Sequence, residues 1–142
     1  MATYQAIITR IVRSIGALFL GRSSDPEPPL AIPDFRDAFQ AHQRGAYNYA
    51  YKVYLSLADQ GDIRAQYQLA GLYRYGKGVQ QNYAKAVKWY TLATEQGHAE
   101  ANFELGMIYL RGEGFERDEQ EAVKWYTLAA EKNNSDAQYI LA

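Results

Sequence analysis

No cysteine occurs among the 142 residues, which excludes a disulfide framework, a thiol nucleophile and a thiolate metal site, and leaves oxidising and reducing compartments equally open. Histidine is nearly as scarce. His42 and His98 fall on different predicted helices and outside any metal-ligand spacing, so His98 is read as a helix-start or turn residue. Ser14, Ser23, Ser24, Ser56 and Ser135 all lie outside a nucleophile-elbow context, and no catalytic triad is expected. An excess of charge of one sign is lacking too: 15 basic side chains face 16 acidic ones, so no global field draws the protein onto nucleic acid. Proline is absent except for four residues between Pro26 and Pro33. The length suits one ordinary domain, which argues against a two-domain enzyme with a cleft between lobes.

What is present is a core-forming 48% of apolar residues and 13 tyrosines, 12 of them between Tyr47 and Tyr139. The proline distribution divides the chain into a segment 1–21, a linker 22–33 and a remainder 34–142, because RSSDPEPPLAIP cannot propagate a helix. Within the remainder the sequence repeats at an offset of 36 residues: VKWYTLA at Val87 to Ala93 recurs at Val123 to Ala129. Ala65, Leu69, Tyr73, Gly76 and Gly78 match Ala101, Leu105, Tyr109, Gly112 and Gly114 in the same register.

Apolar spacing of three and four makes each unit two helices. Helices are predicted near 34–44, 46–60, 62–75, 83–96, 98–110 and 119–132, with a short one from Ser135, and no strand pattern is seen. Asn82 and Asp118 are read as N-caps, the G-x-G loops as helix stops with φ > 0, and Val79 and Phe115 as loop residues turned inward. Trp89 and Trp125, at one phase of the repeat, are both expected in the core. The alanines and Gly106 are expected where paired helices approach closely. Because the G-x-G loops follow helices rather than strands, turn chemistry fits them better than a phosphate cradle.

The arrangement A-x-x-x-L-[AG]-x-x-Y-x-x-G-x-G followed by K/E-A-V-K-W-Y resembles the Sel-1-like repeat, a relative of the tetratricopeptide repeat. Ala65, Leu69, Ala70, Tyr73, Gly76, Gly78, Ala86, Trp89 and Tyr90 carry the match in one unit. Ala101, Leu105, Gly106, Tyr109, Gly112, Gly114, Ala122, Trp125 and Tyr126 carry it in the next. The resemblance covers roughly residues 35–142 and implies an all-α fold: a superhelical α/α solenoid of helix-turn-helix repeats acting as a non-catalytic adaptor for proteins or peptides. No cofactor is implied. A small-molecule or peptidoglycan-fragment binding protein is the alternative, with a hydrolase third. The unit beginning near Ser135 stops at Ala142 without a polar capping helix. The expectation is therefore a fragment, or an end covered by a partner.

By analogy with tetratricopeptide geometry, the first helix of each pair lines the inner surface. The off-core positions there are Arg64, Tyr67, Gly71 and Arg74, then Glu100, Phe103, Met107 and Leu110. Of these, Arg64, Tyr67, Arg74, Glu100, Phe103, Met107 and Leu110 are the expected partner-binding residues, with packing against the preceding helix pair as the competing reading for the apolar ones. Phe103, Met107 and Leu110 make an apolar line, expected to be flanked by Arg74 and Arg111 on a basic side and by Glu100 and Glu104 on an acidic side. Residues 34–94 carry eight basic and four acidic side chains and 95–142 carry four basic and ten acidic, a polarity that would orient a bound peptide, with a merely solvated surface as the competing reading. The carboxylates Glu113, Glu116, Asp118, Glu119 and Glu121 are read as solvated helix-start charge rather than as an acid-base pair.

Met1 to Gly21 has no acidic residue, and its apolar positions Tyr4, Ile7, Ile8, Ile11, Val12, Ile15, Leu18 and Phe19 form an amphipathic helix. Interrupted by Arg10 and Arg13, it is too short to span a bilayer and is expected to dock on protein or on a membrane surface, with a signal or anchor as the competing reading and a disordered tail as the third. A cytoplasmic or membrane-associated location follows from the first reading, a periplasmic or secreted one from the second.

Overall fold

The computed structural model describes Ile7, Thr9 and Arg10, all helical, and residues 31–142. The amphipathic helix expected over 1–21 and the linker over 22–33 otherwise lie outside the described residues. The chain divides into two compact units, residues 1–32 and 33–142. The second is an α/α solenoid of seven helices: α1 (Phe35–Gln43), α2 (Tyr47–Asp59), α3 (Ile63–Tyr75), α4 (Tyr83–Glu95), α5 (Ala99–Arg111), α6 (Glu119–Glu131) and α7 (Ser135–Leu141). Each packs chiefly on the helices before and after it. Among the described residues no helix is long and apolar enough to cross a membrane.

Helix boundaries follow from local chemistry. Asp62, His98 and Asn134 stand 36 residues apart, and each side chain accepts a backbone N–H in the first turn of α3, α5 or α7. Asn82 and Asp118 do the same for α4 and α6, and Asp34 forms a reciprocal capping box with Asp37 at the start of α1. The residue before the repeated cap adopts positive φ, as glycine at Gly61 and Gly97 and as asparagine at Asn133, the non-glycine residue that tolerates this conformation best.

The core is built from small residues and repeated tyrosines. Ala50, Ala65, Ala86, Ala93 and Ala101 are completely buried, and Tyr54, Tyr90 and Tyr126, again 36 apart, are at most 2% exposed. The second glycine of each G-x-G loop joins successive pairs. A Cβ on Gly78 would lie 2.5 Å from the Tyr47 backbone, and one on Gly114 would lie 2.5 Å from Tyr83 Cβ, so each loop docks on the start of the preceding second helix.

Two loop and core expectations need correction. Phe115 is exposed and rests against Tyr109 at 5.1 Å between ring centroids, whereas Val79 does pack on the core. Trp89 is buried, but Trp125 is only partly so. The helix following Trp89's is the 13-residue α5, and the one following Trp125's is the 7-residue α7, which covers less of its neighbour.

Gly106 sits where α5 meets α6, and a Cβ there would come within 2.7 Å of the buried Tyr126 ring. Gly71, one position further along the repeat on α3, would bring its Cβ only to 3.7 Å from the Tyr90 hydroxyl. The two alanine variants should therefore move stability in opposite directions in urea titrations. Gly106→Ala should lose about 1–3 kcal/mol to overpacking, and Gly71→Ala should gain up to about 1 kcal/mol from helix propensity.

Candidate functional site

One cavity draws residues from three first helices at once. Its volume is about 170 Å³, and it is lined by His42 of α1, by Tyr67, Gln68, Gly71, Leu72 and Tyr75 of α3, by Lys77, by Tyr90 of α4 and by Glu104 of α5. The first helices of successive pairs thus share a face, as the repeat geometry requires. The opening exists because position 71 is glycine. One unit on, the matching residue is Met107, which packs against the cluster that includes Tyr126, the match of Tyr90.

Tyr67 forms one wall. Its ring stacks on the His98 imidazole with centroids 4.5 Å apart and tilts against Tyr90 at 5.7 Å. Burial, then the carboxylates of Glu104 and Glu100, push its phenol up to about 12, so it stays a neutral donor. Burial raises Tyr90 further still. His42, whose Nδ1 is enclosed without a partner, is pushed below the usual imidazole range by burial and by nearby Lys77. His98 is likewise lowered by burial, consistent with a neutral Nδ1 accepting from Ala101 N at the cap.

Behind the cavity lies an ion cluster. Arg74 is 1% exposed; its Nε and Nη2 donate to the two carboxylate oxygens of Glu113 at 2.8 and 3.0 Å, and its Nη1 donates to Glu104. Burial opposes the charge on Arg74, but the hydrogen bonds to Glu113 and the field of Glu104 outweigh it and keep the guanidinium protonated. Arg74 in turn holds the Glu113 carboxyl below its usual range.

This cluster corrects the expected layout of charge. Arg74 is enclosed and satisfied rather than an open groove cation, and Arg74 and Glu104 are partners rather than opposite banks of a stripe. Arg111 also turns toward Glu113, at 3.7 Å. Arg64 is exposed, paired with Asp62 at 2.9 Å and placed over the Phe35 ring at 4.4 Å. Glu100 is exposed beside His98. Phe103, Met107 and Leu110 are half-buried against Ala122, Tyr126 and Ala129 of α6 and Ala137 of α7, with Phe103 and Tyr126 rings 5.5 Å apart. Neighbouring helices therefore cover part of this apolar line.

Of the expected binding residues, the cavity gathers Tyr67 alone, beside Gly71, expected only as an off-core position of the same helix. Sequence reasoning placed Glu104 beside the apolar line and missed Tyr75 and Tyr90 as lining residues. The signal that could have found them is the break in repeat register at glycine 71 against methionine 107. Among the described residues no group of His, Asp and Glu is arranged to hold a metal ion.

The Sel1 repeat family model matches residues 63–98 and 99–134, half of the chain. No curated protein matches the chain. Among solved structures, a Sel1 repeat protein from Oxalobacter formigenes is 35% identical with a TM-score of 0.70, over 75% of this chain and 44% of that one. A protective antigen present in uropathogenic Escherichia coli strains, displaying an SLR fold, is 31% identical with a TM-score of 0.67, over 76% and 25%. Cysteine rich protein B of Helicobacter pylori shares the fold at 19% identity and a TM-score of 0.60, over 76% and 97%. The chain therefore spans less than half the length of the first two.

Replacing Arg74 by leucine, the residue found one unit on, should destabilise the fold by roughly 3 kcal/mol at pH 7, because it leaves two carboxylates facing each other without their cation. Glu113 has a folded pKa below its ordinary 4.5, so its stabilisation is complete above that value and disappears as pH falls through the folded value. The difference between Arg74→Leu and wild type should accordingly shrink in denaturant titrations at pH 3. A difference that persists there would assign the loss to packing.

Proposed function

The chain belongs to the Sel1 repeat family, whose helical repeats generally serve as protein-interaction scaffolds and are typically non-catalytic, and on that premise we propose an adaptor that binds a protein or peptide along the face of its first helices. The observation that carries this reading is the cavity shared by α1, α3 and α5. Tyr67 and Gly71 supply its recess; the proposal adds Phe103, Met107 and Leu110, half-buried on α5, as apolar contacts and the exposed Arg64 and Glu100 as polar ones. Arg74 acts from behind, by fixing Glu104.

A volume of about 170 Å³ suits one side chain of a larger partner. Small-molecule sites usually need about 300–1,000 Å³, so the peptide reading is preferred. Attachment to a protein or membrane surface through residues 1–21 is part of the same proposal, and the four prolines between Pro26 and Pro33 suit a tether.

Met107→Glu places a charge on the line. Pull-downs with the full chain should lose at least tenfold of the captured partner, while the melting temperature falls by only about 4–8 °C, the equivalent of about 1 kcal/mol for a half-buried position. Retained capture, or a fall of tens of degrees, would remove Met107 from the binding face.

A further inference from the structure

The cavity beside Gly71 has a definite chemistry. Its walls are the phenol rings of Tyr67, Tyr75 and Tyr90, with the Glu104 carboxylate among them and Lys77 at its lining. Aromatic faces carry negative potential and attract ammonium and guanidinium groups. The chain's own cations already use them: the Arg74 guanidinium lies 5.2 Å from the centre of the Tyr75 ring, and Lys77 Nζ lies 5.9 Å from Tyr75 and 5.3 Å from Tyr47. We propose that this recess is an anchor site for a lysine or arginine side chain of the bound partner, which displaces Lys77 from the tyrosine face and reaches Glu104.

Charge complementarity favours a cation over an anion. All three Arg74 nitrogens already donate to carboxylates, so an entering anion would find no free guanidinium and would meet the Glu104 oxygens. Lys77 is exposed and held by ring contacts, so its displacement opens the site without breaking the core. A long flexible stem fits the recess, because Gly71 leaves the Tyr90 hydroxyl at its floor. The next unit lacks such a site, since Met107 occupies the matching position and Glu113 replaces Lys77.

This inference rests on the adaptor reading and names the side chain that the adaptor takes. It is tested on the full chain by NMR, with the acetylated and amidated peptides Gly-Gly-X-Gly-Gly in which X is lysine, arginine, norleucine or glutamate. The lysine and arginine peptides should shift the ring signals of Tyr67, Tyr75 and Tyr90 saturably, and the other two should not. Gly71→Met, copying the next unit, should abolish those shifts without lowering the melting temperature. Lys77→Gln should tighten the lysine peptide roughly two- to fivefold by removing the competing cation.

Equal binding of norleucine would make the recess an apolar pocket, and binding of glutamate that is lost in Lys77→Gln would make it an anion site; either overturns the proposal. So does the absence of any shift, or binding that survives Gly71→Met. The adaptor reading fails separately: it stands if Met107→Glu releases the partner even where no peptide binds, and falls if capture is unaffected by that change.

Discussion

The close approach of a first helix to the tyrosine on its own second helix is the constraint on which the solenoid depends. Tyr54, Tyr90 and Tyr126 are enclosed almost completely, and a ring of that size can be buried between two helices only where the opposing backbone carries little side chain. At Gly106 even one methyl group would collide with the Tyr126 ring. With the helices held at that distance, the capped starts of α3, α5 and α7 fall into register, and the glycine loops reach the preceding pair. The face shared by the first helices follows from the same spacing. Where the small residue is doubled, as at Ala70 and Gly71, the spacing leaves a recess, and where methionine follows glycine, as at Gly106 and Met107, the methionine packs on the neighbouring cluster.

The second organising element breaks the repeat. Position 74 is arginine where the next unit has Leu110, and position 113 is glutamate where the preceding unit has Lys77. Each looks like drift when units are compared position by position. In space the two departures explain one another, because Glu113 receives two hydrogen bonds from Arg74. A buried guanidinium needs carboxylate partners, and its planar fork matches one carboxylate with two parallel bonds. The cluster ties α3 to α5 and to the loop beyond it, and it fixes the Glu104 carboxylate at the edge of the recess.

The likeness to cysteine rich protein B of Helicobacter pylori concerns the fold alone. This chain builds the same architecture without a single cysteine, so its helices are held by alanine and glycine contacts, tyrosine rings and one ion cluster. Few of these contacts reach beyond adjacent helices. The stability of such an array is a sum of nearest-neighbour terms, and the surface it presents can change unit by unit without altering the scaffold. The difference between positions 71 and 107 is a change of that kind.

The helices, their caps and their pairing were legible in the sequence because they depend on neighbours three, four or 36 positions away, and the repeat writes that pattern more than once. Ala65 and Ala101, Leu69 and Leu105, Asn82 and Asp118 each have the role that their spacing implies. The site was less legible. That Arg74 is enclosed rather than offered to a partner depends on Glu104 and Glu113, 30 and 39 residues away, and no helical or repeat period predicts either separation. That Phe103, Met107 and Leu110 are half covered depends on where α6 and α7 lie. The recess beside Gly71 depends on an absent side chain and on the Tyr90 ring that its absence exposes. Periodicity acts along the chain and survives in the sequence, whereas charge pairing and cavity shape act through space, and only the packed helices decide which groups meet.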